Sequence, residues 1–525
     1  MSPPTPPTQM GNPLGTSWWL KLASFNILSM GVVVSFIHHG IKNLSKGEQA
    51  LYFFLALFVW RYLRFCINII GFWSYKAAPV PKSNANYYPG RDVTVVIPTV
   101  DPLGVDFYEC LTSCARNGPR KIIVVTAGEA LYAQTLSAVA PVMEQFPLIH
   151  FLVTRTNIAN KREQVAHVIR YINTPITVLI DDHVFWNSQD LLKSMLAPFE
   201  DSQVGIVGTN KRVRRLEGLS VWRRFWNMLG CLYLDRHNFE IRATNAIDGG
   251  VFVISGRTVG IRTCILEDKA FQAGYLHEMF FFGLLGPLHP DDDNYITRYM
   301  VNNGWKIKIQ YTKEAEIETT VGVGEPVHTK FLGQCRRWVR TTWRSNTASL
   351  FTEGTVWATQ PYCVYAVYLT SFTNFALFTD AALVYLFTKS SWYTDAAEPK
   401  YALAALLSWM IFSKTVKVFR YFSTYPQDIW LFPAYVLFAY FHSFIKLWAL
   451  FTFWDYAWSG RNLAALTEGE KNDEDDQNDE LDLPPMDISY DEDISDLDIG
   501  ESLAPVPLNP MFSLAGQQSA TIIKA

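Results

Sequence analysis

The sequence predicts an α/β domain inserted between membrane-length apolar helices and followed by a disordered acidic tail. Three observations carry this. Apolar stretches long enough to cross a bilayer flank the middle of the chain, that middle alternates β-branched runs with helical patterns, and charge divides sharply between body and tail. Across 525 residues, hydrophobic types make up 49% and charged types 18%, below the quarter usual in soluble domains. This balance argues against an ordinary water-soluble enzyme, a disordered scaffold or a basic nucleic-acid binder. No nucleic-acid partner is expected.

Residues 1–16 are mostly Pro, Thr, Gly and Asn without a charge, and are expected to be a disordered leader. They lack the basic start and small-residue cleavage site of a secretory signal. Residues 17–72 hold two apolar stretches, Ser17–His38 and Gln49–Phe72, each able to span about 30 Å of hydrocarbon at about 1.5 Å per residue. Arg61 and Arg64 interrupt the second, which snorkelling or packing against protein accommodates. Between the two lies the sequon Asn43-Leu44-Ser45, a candidate glycosylation site at Asn43.

From 73 to 351 the pattern changes. Val93–Ile97, Ile122–Thr126 and Ile176–Ile180 are short apolar strands separated by helical segments. Continuous apolar strands alternating with helices predict a parallel sheet covered on both faces. Apolar helices return in 352–462, at Pro361–Phe387, Tyr401–Tyr421 and Trp430–Phe453. The last contains Pro433, His442 and Lys446, so a re-entrant or interfacial helix is expected there, giving four spans plus one such helix and both termini cytosolic. Lys76, Lys82, Arg91 and the later Arg336, Arg337, Arg340 and Arg344 flank the α/β region, and the positive-inside tendency places that region in the cytosol.

From Thr467 onwards there are sixteen acids and two bases, while the preceding 466 residues carry 43 bases and 33 acids. The 463–525 segment is therefore expected to be a disordered, solvating tail. The basic body suits anionic substrates or an anionic lipid surface. Seven cysteines follow no disulfide framework or zinc spacing.

Four segments carry chemistry. In VTVVIPTVDP a buried strand breaks at a proline, placing Thr99 and Asp101 at a strand end where nucleotides dock in doubly wound sheets. VLIDDHVFW carries Asp181, Asp182 and His183 to another strand end, and Asp181 and His183, one residue apart, can both reach a divalent cation that holds a diphosphate. HPDDDNYITRYM sets Asp291, Asp292 and Asp293 before a helix. Three successive carboxylates exceed capping needs, and their repulsion raises at least one pKa, as a general base requires. GQCRRWVRTTWR offers Arg337 and Arg340, beside Arg336, as guanidinium forks for phosphate oxygens, with Trp338 as a flat face for a sugar.

In that order, IPT, DDH, DDDN and QCRRW resemble the processive family 2 glycosyltransferases, which include cellulose, chitin and hyaluronan synthases. Their QxxRW motif matches as Gln334, Arg337 and Trp338, and the likeness covers roughly residues 15 to 465. It implies a GT-A catalytic domain between membrane helices. Helix placement is most similar to hyaluronan synthases, and the whole chain resembles the fungal polysaccharide synthase branch. The resemblance implies that Asp181 and His183 hold Mg²⁺ or Mn²⁺ on a UDP-sugar diphosphate and that Asp182 orients the sugar. It further implies that Asp293 is the base with Asp292 beside it, and that Thr99, Lys161, Gln334 and Arg337 bind the donor. Trp338, with Gly250 and Arg257 of DGGVFVISGR, would border the acceptor, and Trp458 and Arg461 of WSGRN would gate. The implied product is an outer cell-wall or extracellular polysaccharide supporting hyphal growth, made at the plasma membrane and passed through the enzyme's own helices, with the lipid bilayer and the growing chain as partners. Two positions depart from the pattern. The second strand usually ends in an Asp that contacts uracil, where this chain has Thr126 with Glu129 three residues on, and the metal motif ends in His183 rather than Asp. A lipid glycosyltransferase of the ceramide type shares the motif set and is the nearest alternative; a catalytically silent membrane scaffold is the other.

Overall fold

The structure, a computed structural model, describes residues 40, 42–321, 326–456 and 486–487. The first expected span (Ser17–His38), the leader, the gating pair Trp458 and Arg461, and the acidic tail apart from 486–487 lie outside the described residues.

Helix α1 (Lys46–Ser74) starts at a capping box: Ser45 Oγ accepts from the Glu48 backbone amide and Glu48 Oε2 accepts from that of Ser45, satisfying two donors a helix start otherwise leaves open. Asn43 is exposed just ahead of it, with the sequon's own Ser45 engaged in the cap. One stripe of α1 is buried, through Phe54, Tyr62 and Phe65, while Val59, Ile70 and Trp73 stand exposed.

The domain then alternates β1 (Val93–Pro98), α2 (Val105–Ala115), β2 (Lys121–Ala127), α3 (Gly128–Gln145), β3 (His150–Thr156), α4 (Lys161–Val168) and β4 (Ile176–Ile180). There follow β5 (Val184–Trp186), β6 (Val204–Thr209), β7 (Lys211–Val213), the long α5 (Val221–Asp248), β8 (Thr258–Arg262), α6 (Asp292–Asn302), β9 (Lys306–Gln310), β10 (Ile317–Thr319) and α7 (Val327–Thr347). The main sheet runs β11-β3-β2-β1-β4-β8-β6-β9, β11 being Met486–Asp487, and β5, β10 and β7 form a small second sheet. Along β1, Val93, Val95 and Ile97 enter one apolar cluster and Val96 the other. Both faces are covered, which is why the strand sequence is apolar without alternation.

The sheet is mixed, where the sequence predicted a parallel one. β1, β2, β3 and β4 pair in parallel, but β8 runs antiparallel to β4 and β6. The reason lies in the connection. Helix α5 ends at Gly249, whose φ of 73° turns the chain in the left-handed region. Residues 250–257 then cross the carboxyl end of β4, and β8 enters the sheet from that end, with Thr258 opposite Ile180.

Beyond α7 the chain is helical. Pro361–Thr373 and Ala376–Lys389 (α8 for the second) meet at 88°. Pro399–Val416 (α9) and Phe432–Leu450 (α10) follow. By length and composition, Lys46–Ser74 and Pro426–Leu450 are long and apolar enough to cross a membrane, and the bent pair makes a third if it counts as one span. The sharp bend thus falls inside Pro361–Phe387, and Trp430–Phe453 is mostly one continuous helix. The larger core cluster joins strand residues such as Val96 and Ile123 to Leu350, Cys363 and Tyr368.

Candidate active site

The carboxyl ends of β1 and β4 sit side by side and carry Thr99 and Asp181 into one cavity of about 1190 Å³. Thr99 Oγ1 donates to Asp182 Oδ2 at 2.9 Å, and His183 Nδ1 lies 3.1 Å from Asp182 Oδ1. Asp182 is thereby buried between the strand ends, while Asp181 and the half-exposed His183 face the cavity. The Asp181 amide donates to the Arg257 carbonyl at 3.1 Å, pinning the segment 250–257 to the β4 end.

Helix α4 starts at Asn160, which caps it by accepting from the Arg162 amide at 3.0 Å. This delivers Lys161 between two carboxylates, 2.7 Å from Asp181 Oδ1 and 3.0 Å from Asp292 Oδ2. Burial alone would lower the lysine and raise Asp181. The pairing outweighs it, holding Lys161 well above and Asp181 below their ordinary values. Next to them Asp293 accepts from the Gly256 amide at 3.4 Å and from Asn294 Nδ2 at 3.0 Å. Burial first, then the Asp292 and Asp291 carboxylates, push Asp293 up to about 6. This is the elevated member that the aspartate run predicted, in the range of a working base.

Asp291 has a different task. It begins α6 at a φ of 67° and is buried. Its carboxylate takes Arg344 Nη2 at 2.6 Å and the Thr341 hydroxyl at 2.5 Å, which locks α6 to α7. Helix α7 presents Gln334, Arg337 and Trp338 to the same cavity. Trp338 lies against Tyr233 with centroids 4.8 Å apart, and the Arg257 guanidinium stands 5.9 Å from its ring. Gln334 Oε1 is buried with no hydrogen-bond partner among the described residues, where buried acceptors are usually satisfied.

Most of the expected residues therefore converge: Thr99, Lys161, Asp181, Asp182, His183, Arg257, Asp292, Asp293, Gln334, Arg337 and Trp338 all line one cavity. Gly250 does not. A Cβ there would stand 2.5 Å from Cys363 Cβ, so its small size serves packing. Arg340 also turns away, to Asp455 at 2.6 Å. Thr126 is fully buried and Glu129 pairs with Arg155 at 2.7 Å, both off the cavity wall. Two lining residues gave no signal in the sequence: Lys211, whose Nζ meets His237 Nδ1 at 2.8 Å, and His237 itself. Burial pushes both well below their ordinary values. They sit far apart in an unremarkable part of the chain, and only β7 packing on α5 unites them.

Residues 89–341 match the model of a family described as glycosyltransferase like family 2. The chain is 39% identical over 429 residues to a type 2 glycosyltransferase of Gibberella zeae, covering 81% of this chain and 77% of that one. A type 2 glycosyltransferase of Zymoseptoria tritici is 39% identical over 418 residues, covering 79% and 84%. Among solved structures, the mannosyltransferase PcManGT of Pyrobaculum calidifontis, in complex with GDP-Man and Mn²⁺, aligns with a TM-score of 0.44 at 17% identity, over 75% of this chain and 99% of that one. With the aspartate clusters, Lys161 and the Gln334–Trp338 face gathered in one cavity, and with relatives of this identity and coverage, the chain belongs to the family 2 glycosyltransferases.

Proposed function

We propose that the protein is a membrane-embedded, inverting glycosyltransferase that polymerises sugar from a UDP-sugar and leads the growing chain into its own helices, producing an outer cell-wall or extracellular polysaccharide that supports fungal hyphal growth. The observation that carries this reading is the extent of the cavity. One cavity of about 1190 Å³ is lined both by Asp181 and Asp293 of the α/β domain and by Arg64 of α1, Ser413 of α9 and Lys446 of α10. A polar passage between apolar helices suits a product that grows and must be led away from the site. The exposed apolar residues on those helices, Ile70 and Trp73 on α1 and Leu437, Phe441 and Trp448 on α10, support embedding in lipid, since water-exposed patches of this size are rare. The plasma membrane, with residues 73–351 in the cytosol, is the location that fits such a product.

In this reading Asp293 takes the proton of the acceptor hydroxyl as that oxygen attacks the anomeric carbon from the side opposite the departing UDP. Lys161 and Arg337 face the developing negative charge on the diphosphate, as pre-placed cations do in transfer reactions. Among the described residues no group of three or more His, Cys, Asp or Glu is placed to hold a metal. Two chain ligands completed by diphosphate oxygens are nevertheless a shell that Mg²⁺ accepts, and the ammonium already held by Asp181 marks a place where positive charge is stabilised. Asp181 and His183 would hold Mg²⁺ or Mn²⁺ arriving with the donor, and the ion would neutralise the diphosphate. Trp338 would hold the terminal sugar of the acceptor in attack position.

The test is donor-dependent UDP release by the purified full chain, screened over UDP-GlcNAc, UDP-Glc and UDP-GlcA, with product length measured on gels. A long polymer supports the proposal. One sugar on a lipid would replace it with the ceramide-type reading, and no release from any donor would leave a silent scaffold.

A further inference from the structure

The helix-bundle end of the cavity carries an excess of positive charge. Six cations line it: Arg61 and Arg64 of α1, Arg236 of α5, Lys414 of α9, Lys417 just beyond α9, and Lys446 of α10. Two carboxylates answer them. Asp380 pairs with Arg61 at 2.5 Å and Lys414 at 2.6 Å, and Glu240 pairs with Lys417 at 3.0 Å.

Among the described residues, the other three cations have no carboxylate at ion-pair distance and share the more distant charge of Glu240. Arg64 donates to the Ala366 carbonyl at 2.8 Å and to Thr370 Oγ1 at 2.7 Å. Lys446 donates to the carbonyls of Ser371 and Asn374 at 2.6 and 3.0 Å. Arg236 feels the charge of Glu240, which it shares with Arg64 and Lys446. Arg64, Arg236 and Lys446 all act on one another electrostatically around the single Glu240. In the same wall His442 Nε2 is buried without a hydrogen-bond partner among the described residues.

Charge at this depth among apolar helices is costly unless it is paired or faces a cavity that takes ions. Backbone carbonyls orient a cation but do not neutralise it. A neutral sugar chain would satisfy hydrogen bonds and leave the excess in place. We infer that this end of the cavity binds an anionic group carried by the acceptor or the growing chain, a carboxylate or a phosphate, that supplies the missing counter-charge. The guanidinium forks of Arg64 and Arg236 match the paired oxygens of either group. This rests on the proposal that the acceptor occupies the cavity, and it narrows the acceptor to an anionic class.

The experiment uses the full chain in detergent and two pairs of probes: a glucuronic-acid-containing tetrasaccharide against a neutral glucose tetrasaccharide, and decaprenyl phosphate against decaprenol. Binding is measured by equilibrium dialysis at low and high salt. The expected result is at least about tenfold tighter binding of one anionic probe than of its neutral partner, weakening with salt as charge contacts do. Which pair shows it tells a uronate-bearing chain from a lipid phosphate. Arg236→Gln combined with Lys446→Gln should abolish the preference while leaving the weak binding of the neutral probe in place. Equal affinity within both pairs, or a preference untouched in the double variant, overturns the inference. Donor-dependent UDP release by the unaltered protein is measured alongside. If release fails, the transferase proposal falls whatever the probes do; if release is intact and no anion is preferred, only this inference falls.

Discussion

Replacing Asp293 by Asn tests the site most sharply, because activity and stability should move in opposite directions. Burial and the two neighbouring carboxylates raise this group from 3.8 to about 6. In the unfolded chain it titrates near its ordinary value. Between these pH values the folded state binds a proton that the unfolded state does not, so stability falls as pH rises through that window and stays lower above it. At about 1.4 kcal/mol per tenfold change in proton affinity, the loss is on the order of 3 kcal/mol. Asparagine keeps the shape and an acceptor for the Gly256 amide but carries no charge. The variant should therefore lose roughly 10²–10⁴ in donor-dependent turnover, yet unfold at higher temperature than the unaltered protein at pH 8. That advantage should vanish near pH 4. The unaltered enzyme should gain activity as pH rises through about 6. UDP release and thermal unfolding in detergent, each followed across pH, supply the measurements. Near-normal turnover in the variant removes Asp293 as the base, and an equal stability deficit at both pH values refutes the electrostatic argument.

Other substitutions test other parts. Trp338→Ala should remove elongation while UDP affinity changes by less than about threefold, because the proposed role of the indole is to position the acceptor sugar; intact elongation would remove this residue from the site. Asp181→Ala should abolish metal-stimulated UDP binding, and EDTA should silence the unaltered protein, so activity indifferent to chelation would refute the assignment of the ion. Arg344→Met leaves Asp291 buried opposite no cation, a change that typically costs about 3–5 kcal/mol. Its thermal unfolding should reveal this, together with a pH–activity midpoint moved upward by the uncompensated carboxylate.

The alternation of helices with strands, the apolar run at Val93–Ile97 and the aspartate clusters were legible because each depends on neighbours in sequence. A strand covered on both faces is apolar throughout, and a carboxylate run announces its own repulsion. The antiparallel β8 was not legible, since its direction is set by where residues 250–257 cross the sheet rather than by anything in TVGIR. Gly250 read as part of a binding segment, but its glycine answers to Cys363, more than a hundred positions away. The 88° bend between Pro361–Thr373 and Ala376–Lys389 was not legible either. Pro433 and Lys446 drew attention to the last helix, whereas the break lies near Asn374, whose carbonyl Lys446 takes.

The shared core has a practical consequence for anyone preparing this protein. Residues 73–351 look like a self-contained catalytic piece to be expressed without its helices. Yet Val96 and Ile123 of the sheet belong to the same apolar cluster as Cys363 and Tyr368. Arg344 reaches the carbonyl of Phe453 at 2.7 Å, beyond the last long helix. Cutting at either border would expose a greasy face and strip partners from the residue that steadies the aspartates. A shortened version is thus expected to aggregate, and its inactivity would say nothing about the chemistry of the intact chain.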